Sequence, residues 1–524
     1  MGKKQITTLF LLLTPLLFWL AWPPRIFAPA IFIVWVPLLL FTKVNKELKP
    51  WKYFLQIWAS FILLNAATTW WVWHASPMAI AMILANALLM SIPWLLYQRM
   101  LHHFTPARSR LMLAIIWLSF EYIHTVWDIA WPWLTVGNAL ARYPFTFQWY
   151  EFTGVAGGSA WIWAINLVLY EWLLVRTKGK AVLASLTVGI PLIISGILYV
   201  NDSAHIEPDS ENVVIVQPNV DPYVKFEPRM EVKSAVDMIQ QAEEAVDSKT
   251  RWVILPETAL VEYADEEYFS QFKTYNMWVS FCKRHPQIAV VAGANTYRFY
   301  NDGDELSSTV RYTRDGRAYD SYNTAILFNK DGVDTVYHKS KLVPGPEKMP
   351  WPEALGFLGD LVSFDLGGVT GSLGVSKEAV NFQHDSTSVA PLICYETVFP
   401  DYVRTFTRKG ADALLIITND GWWQNTAGHK QHLYYASLRA VENRRAIYRS
   451  ANTGISAVVL PNGEIRQPTE YWTRDVIQYP LIRNEEQTVF VRLGDYLGRT
   501  SVFISGFFLL SFFVKVWSSR KMIE

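Results

Sequence analysis

The chain has 524 residues, 51% of them hydrophobic and 18% charged, with a net charge of +1, 24 tryptophans and two cysteines. A near-neutral charge without a basic block excludes a nucleic-acid binder as the default, and two cysteines exclude a disulfide framework. The average conceals two unlike parts: the first 200 residues hold 14 Lys/Arg, 5 Asp/Glu and 17 of the tryptophans, the remaining 324 hold 33 Lys/Arg and 41 Asp/Glu, and the two parts therefore carry +9 and −8. This split implies a membrane-embedded region followed by a globular domain large enough for its own core.

A helix crossing roughly 30 Å of hydrocarbon needs about 20 mostly apolar residues, because no water is there to satisfy its backbone. Seven segments before residue 201 meet this, at 6–22, 26–41, 53–73, 78–97, 111–127, 158–175 and 181–200, and a shorter eighth lies at 501–514. Pro15, Pro37 and Pro93 kink such helices without excluding them. Basic residues fall in alternate loops: Lys3 and Lys4, Lys43 to Lys52, Arg99 to Arg110, Arg176 to Lys180, and Lys515 to Lys521 on one side, against only Arg25 and Arg142 on the other. The positive-inside rule then predicts cytoplasmic termini and places the long segment after residue 200 outside the cytoplasmic membrane. Residues 1–30 alone have the look of a signal peptide, but no clear small-residue cleavage site follows and further spans come at once. Glu121, His124 and Asp128 lie at or near membrane depth, either as a polar lining for a lipid head group or as helix-end residues in an interfacial belt with Trp127, Trp131 and Trp133.

From about residue 212 the pattern changes to short β-branched runs separated by amphipathic stretches. Strands are predicted at 213–216, 252–255, 288–292, 325–328, 390–394, 413–418 and 455–460, and helices at 229–246, 266–284 and 430–446. Their alternation implies an α/β layered domain of about 270 residues. The polar, Gly-containing stretch 301–321 reads as an exposed hairpin or loop.

In open α/β sheets chemistry collects at the carboxyl ends of strands. Glu257 in "WVILPETAL" follows a strand and a proline, as a general base or a solvated post-strand residue. Lys339 in "VYHKSKLVPGPE" is of a type that usually sits at the surface, so its case depends on its neighbours. Cys394 in "APLICYETVFP" closes an apolar run, a place where a cysteine is most often inert core. Cys282, on a helical pattern without such partners, reads as structural. The histidines are not spaced with the cysteines in a ligand pattern, so no metal is expected, and no phosphate-binding glycine loop is present.

Together "LPET", "YHKSKL" and "ICYE", in that order, resemble the Glu-Lys-Cys triad of the nitrilase or carbon–nitrogen hydrolase superfamily. "LLIITNDGWW" and "LRAVENRRAIYRSANTGISAVVLPNGEI" are similar to that superfamily's later strand and helix–strand unit. Set between seven preceding spans and one following span, the domain resembles the apolipoprotein N-acyltransferase family. The resemblance implies a polytopic α-helical membrane region of about eight spans plus a nitrilase-like αββα sandwich, divided as a membrane domain at 1–205, a catalytic domain at 211–485 and a last span at 498–516. It implies Cys394 as nucleophile, Glu257 as base and Lys339 as the cation near the oxyanion. Glu347, Tyr395, Glu396, Trp422, Trp423, Phe226 and Asn323 are the supporting residues so implied. "VPGPEKMP" departs from the superfamily's usual Phe-Gly-Glu run, and Phe226 stands where a tryptophan is often found, which leaves loop shape and substrate contacts open.

The implied reaction is transfer of a fatty acyl chain from a phospholipid donor, through a cysteine thioester, to the α-amino group of the diacylglyceryl-cysteine of an apolipoprotein. No cofactor, metal or nucleic acid takes part, and the protein is expected to be a monomer in the bacterial inner membrane with its catalytic domain on the outer side. The alternative reading is a membrane-tethered amidase or nitrilase that hydrolyses a C–N bond with the same triad.

Overall fold

The computed structural model describes residues 2–76, 79–203, 206–227, 230–349 and 372–521. The chain divides into two compact units, one comprising Met1–Trp73, Pro77–Val200 and Leu493–Glu524 and the other His74–Ser76 and Asn201–Arg492.

The first unit is helical: α1 (Lys3–Ala21), α2 (Val36–Asn45), α3 (Pro50–Thr69), α4 (Ala79–Met100), α5 (Pro106–Val126), α6 (Tyr150–Val175), α7 (Lys178–Ser203) and the C-terminal Tyr496–Lys521. These coincide with the eight expected segments, most of them longer than the apolar run alone. Among the described residues six helical stretches are long and apolar enough to cross a membrane. Helices α3 and α5 are not among them, and α5 carries Arg108, Arg110 and Glu121. Prolines 15, 93 and 191 sit inside α1, α4 and α7.

Aromatic rings fill the interior of this unit, with Trp35 stacked on Trp163 at 5.5 Å and tilted against Trp117 at 4.8 Å. The second expected span is broken, a 3-10 turn (Ala28–Ile33) preceding α2, and Asn166 repairs the break. Its Oδ1 accepts from Trp35 N at 2.8 Å and its Nδ2 donates to Ile31 O at 3.0 Å. Glu121 and His124 are buried inside the unit: Glu121 Oε1 accepts from Trp117 Nε1 at 2.9 Å and from Val136 N at 2.8 Å. His124 Nδ1 accepts from Trp127 Nε1 at 2.9 Å, so its Nε2–H donates to Asn86 Oδ1 at 3.0 Å, and Asn86 Nδ2 in turn donates to Asn65 Oδ1 at 2.7 Å. His124 thus ties α5 to α4 and α3 from within, while Glu121 ties α5 to the turn at Val136.

The second unit carries two sheets. One runs β14 (Asp475–Pro480), β1 (Asn212–Gln217), β2 (Thr250–Ile254), β4 (Ala289–Phe299), β6 (Ala318–Asn329) and β5 (Arg311–Tyr312), with β3 (Leu260–Asp265) on β4 and β7 (Gly332–His338) on β6. The other runs β13 (Ile465–Arg466), β12 (Ala457–Val459), β11 (Ile447–Ala451), β10 (Ala413–Thr418), β9 (Thr387–Ile393) and β8 (Phe382–His384). Strands β1, β2 and β4 are mutually parallel, as are β9, β10 and β11.

The period-2 alternation of β1 shows why the unit is layered. Val213 and Ile215 join Leu392, Ile416 and Tyr448 in one core, while Val214 and Val216 join Met238, Trp278 and Phe281 from helices α8 (Met230–Ala245) and α9 (Lys273–Arg284) in another. Helices α10 (Pro400–Arg408) and α11 (Ala427–Asn443) supply Val403, Phe406, Ala436 and Ala440 to the first of these cores. The order is helix, sheet, sheet, helix.

Two expectations shift. The stretch expected as a hairpin or loop is narrower, because β4 and β6 pair antiparallel from Val290 opposite Phe328 out to Phe299 opposite Tyr319. Helix α9 begins at Lys273 rather than 266, since β3 and a 3-10 turn (Phe269–Gln271) occupy the start of that stretch. Among the strands not expected, β3, β7 and β14 have exposed faces whose polar residues dilute the apolar signal, and β11, though buried, carries Arg449 and Ser450 within its short run.

Candidate active site

Three strand ends converge. Glu257 follows β2, Lys339 follows β7 and Cys394 follows β9, each within three residues of the last paired position. All three are buried, at 7%, 1% and 9% exposure. Ionisable groups are seldom buried so deeply unless they are paired.

The pairing is explicit. Lys339 Nζ donates to Glu257 Oε1 at 3.2 Å and to Glu347 Oε1 at 2.7 Å. Asn323 Nδ2 bridges the same two oxygens, at 2.8 Å to Glu257 and 3.3 Å to Glu347. Glu257 Oε2 accepts the backbone N–H of Asn419 at 3.0 Å, and Glu347 Oε2 accepts that of Val343 at 2.8 Å. Every oxygen of the two carboxylates therefore has a fixed donor. Burial alone would lower the Lys339 ammonium, but the two carboxylates outweigh it and hold the group well above its usual range. Burial, and after it Glu257, pushes the Cys394 thiol well up, against a downward pull from Lys339. The resting site is thus a thiol beside an ionised Glu–Lys–Glu cluster.

Cys394 has φ +49°, a left-handed conformation that costs a non-glycine residue about 1–2 kcal/mol and must be held by its surroundings. Two buried groups hold it. Glu396 Oε2 accepts from Ile393 N at 2.8 Å, while its Oε1 accepts from Ser340 N at 2.7 Å and Tyr337 Oη at 2.5 Å, so one carboxylate joins the cysteine turn to the lysine loop. Burial pushes the Glu396 carboxyl up to about 7. On the other side Thr397 Oγ1 lies 2.9 Å from Cys394 O and 2.7 Å from His432 Nε2. His432 Nδ1 lies 3.0 Å from Asp420 Oδ1 and its Nε2 3.1 Å from Cys394 O, and Asp420 Oδ2 is paired with the fully buried Arg449.

The ligand-capable atoms of Cys394, Asp420 and His432 lie within 4.8 Å of one another. The Asp420 carboxylate is already matched by Arg449, so a dication there would have a buried guanidinium beside it.

The remaining expected residues lie as follows. Tyr395 is buried, edge-on to Phe399 at 5.1 Å. Trp422 stands edge-on to Tyr223 at 5.2 Å, and Trp423 to His432 at 5.6 Å. Phe226 lies under the ammonium of Lys225, 5.1 Å from the ring centre. Residues 350–357 of the loop that begins at Pro344 fall outside the described residues. Sequence reasoning missed the backbone N–H of Asn419, the Asp420–His432–Arg449 chain and Lys225. Asp420 had a signal, as an acid just past the end of β10; the others become visible only when distant segments meet.

An αββα layered unit whose strand ends bring a carboxylate, an ammonium and a thiol together defines a carbon–nitrogen hydrolase. The family model described as Carbon-nitrogen hydrolase matches residues 212–489, and one described as Apolipoprotein N-acyltransferase N-terminal domain matches residues 15–168. An apolipoprotein N-acyltransferase of Chlorobaculum tepidum is 26% identical over 505 residues, covering 93% of this chain and 92% of that protein. One of Thermotoga maritima is 26% identical over 443 residues, covering 82% of this chain and 77% of that one. Among solved structures, an amidase from Nesterenkonia sp. is 14% identical, with TM-score 0.34, over 53% of this chain and 93% of that chain. The chain belongs to the carbon–nitrogen hydrolase family, in the apolipoprotein N-acyltransferase branch.

Proposed function

We propose that the protein transfers a fatty acyl chain from a membrane phospholipid, through a thioester on Cys394, to the N-terminal α-amino group of diacylglyceryl-cysteine in apolipoproteins. The observation that carries the residue assignment is the shared carboxylate–ammonium pair, Glu257 and Lys339, at the strand ends around Cys394.

Direct aminolysis of an ester is slow, and a thioester splits it into two easier steps. As Cys394 Sγ attacks the ester carbonyl, Glu257 takes the thiol proton, and formation of the S–C bond draws off the thiolate so produced. The Lys339 ammonium faces the charge that develops on the carbonyl oxygen, aided by a backbone N–H near Tyr395; loss of one such donor typically costs about 3 kcal/mol. Glu257 then protonates the departing glycerol oxygen. In the second half the neutral amine attacks the thioester, gives its proton to Glu257, and that proton returns to Sγ. Donor and acceptor occupy the site in turn, so the kinetics are ping-pong.

The apolar helices supply what a water-immersed pocket lacks, since each methylene of an acyl chain exposed to water costs about 0.8 kcal/mol. Alternation of basic loops supports cytoplasmic termini in the inner membrane and a catalytic unit on the outer side. Incubation with acyl-labelled phospholipid is expected to give an acyl adduct on the intact protein that is absent from Cys394→Ala. An adduct that persists in that variant would overturn the reading.

A further inference from the structure

Lys225 lies in the loop between β1 and α8 and is 3% exposed. Unlike Lys339, which binds two carboxylates, its ammonium pairs with none among the described residues. Nζ donates instead to Thr258 O at 3.2 Å and to Thr258 Oγ1, and it rests on the Phe226 ring. A buried cation without a hydrogen-bonded anion is costly and needs an account.

The account lies in what Thr258 follows. Thr258 has φ +49° and immediately succeeds Glu257, so the turn that presents the carboxylate is itself in a left-handed conformation that only its surroundings can hold. Gly293 presses on this turn from β4: its N–H donates to Pro256 O at 3.1 Å, and a Cβ there would stand 2.5 Å from both Glu257 Cα and Thr258 N. Lys225 grips the turn through Thr258. Charge completes the case. Glu257, Glu347 and Lys339 sum to −1, and because the thiol proton neutralises Glu257 as the oxyanion forms, the site carries that −1 through the step without a balancing cation. Glu257 is the carboxylate whose field acts on Lys225.

We propose that Lys225 is a positioning residue for acyl transfer: with Gly293 it clamps the turn that carries Glu257, and it supplies the cation that balances the net −1 of the cluster. This rests on Glu257 being the base. No bond to Lys225 forms or breaks, and the thiol proton passes from Sγ to Glu257 as before. Burial lowers the Lys225 ammonium to about 7, so the charge it supplies is present below that pH and lost above it. The ionisable groups around it are Glu257 at the strand end, Asp221, Tyr223 and Glu227 in its own loop, and Lys339 beyond Glu257.

The test uses full-length protein in detergent. Acyl-adduct formation from labelled phospholipid is followed by intact mass in single turnover between pH 5.5 and 9. The wild-type rate is expected to fall with an alkaline limb near 7. Lys225→Met is expected to be at least about tenfold slower below that pH and to lack the limb. Lys225→Arg, which keeps its charge, restores the rate and moves the limb upward. Wild-type rates and profile in Lys225→Met would overturn the proposal, as would equal loss in both variants with unchanged melting. Should Lys225→Met not fold, wild type and Lys225→Arg decide alone, and an unmoved limb overturns it. Glu257→Gln separates the two readings: if it forms adduct at the wild-type rate, the assignment of the base fails; if it is slow while Lys225→Met is not, only this inference fails.

Discussion

The ion pair behind the cysteine is open to a quantitative test through Arg449→Met. Arg449 and Asp420 are both 0% exposed, and Arg449 also donates through Nε to Ile455 O at 3.1 Å. Burial opposes ionisation of Asp420, but Arg449 and then His432 outweigh it and hold the carboxyl well below its usual range. Methionine fills much of the arginine's volume and leaves the carboxylate with His432 Nδ1 at 3.0 Å and Thr418 Oγ1 at 2.7 Å. Removing one partner of a buried pair typically costs about 3–5 kcal/mol, and at about 2–4 °C per kcal/mol for a unit of this size the melting transition should fall by roughly 6–20 °C. The pH dependence is more telling. In the wild type burial pushes His432 down, Asp420 pulls it up and Arg449 pushes it down again, leaving a neutral ring. Without Arg449 the upward pull of Asp420 is less opposed, and the imidazolium can replace the lost charge. A histidine whose folded pKa rises contributes stability below its unfolded value near 6.5 and loses it as pH increases. The deficit should therefore be largest at pH 8 and shrink towards pH 6. Differential scanning fluorimetry of both proteins across that range provides the measurement, with Arg449→Met/Asp420→Asn as a control that removes the orphan charge and should recover part of the loss. A deficit that grows on acidification, or a double variant worse than the single, would refute the account.

Glu396→Gln addresses the other brace. Burial raises this carboxyl from 4.5 to about 7, so the native state binds the proton more tightly and stability should decline by about 3 kcal/mol as pH rises through that window; the glutamine variant should flatten the decline in melting temperature. Gly293→Ala forces a methyl into the backbone of Pro256–Thr258, and a displacement of the base of this order is expected to slow acyl-adduct formation by about 100-fold, read by single-turnover intact mass. Cys282 is 0% exposed with burial pushing its thiol up to about 12, whereas Cys394, its thiol also pushed up, is 9% exposed with Glu257 at hand to take the proton, so native alkylation by iodoacetamide should add one label that Cys394→Ala abolishes and Cys282→Ser does not; intact mass decides it. Asn166→Leu removes the acceptor of Trp35 N and the donor to Ile31 O where no water can substitute, and is expected to cost several kcal/mol, seen as loss of monodisperse protein on size-exclusion chromatography in detergent.

What could be read from the sequence follows from how local each signal is. The helices of the first unit and the buried strands β1, β2, β9 and β10 announce themselves because their apolar residues are contiguous. Glu257 and Cys394 stand directly after two of those strands, so the chain's own topology exposes them. Lys339 follows β7, whose burial is intermittent, and only its neighbouring motif pointed to it. The hairpin of β4 and β6 escaped full description because pairing, rather than apolar content, extends both strands past Asn295 and Asn323. The same logic hides the supports of the site. Arg449 lies within β11 and His432 within α11, and a basic residue in either place has no sequence mark that separates an exposed side chain from a buried one. Their roles depend on Asp420, which itself is intelligible only once β10 is laid beside β9 and the carboxylate comes to rest behind the cysteine turn. Lys225 is the extreme case, a lysine in a turn-rich loop whose partner lies 33 residues away across the sheet. A left-handed residue at each of two strand ends, Thr258 and Cys394, explains why such supports are needed. The carboxylate and the thiol are each presented on strained backbone, and strain of about 1–2 kcal/mol per residue persists only where several buried bonds hold it.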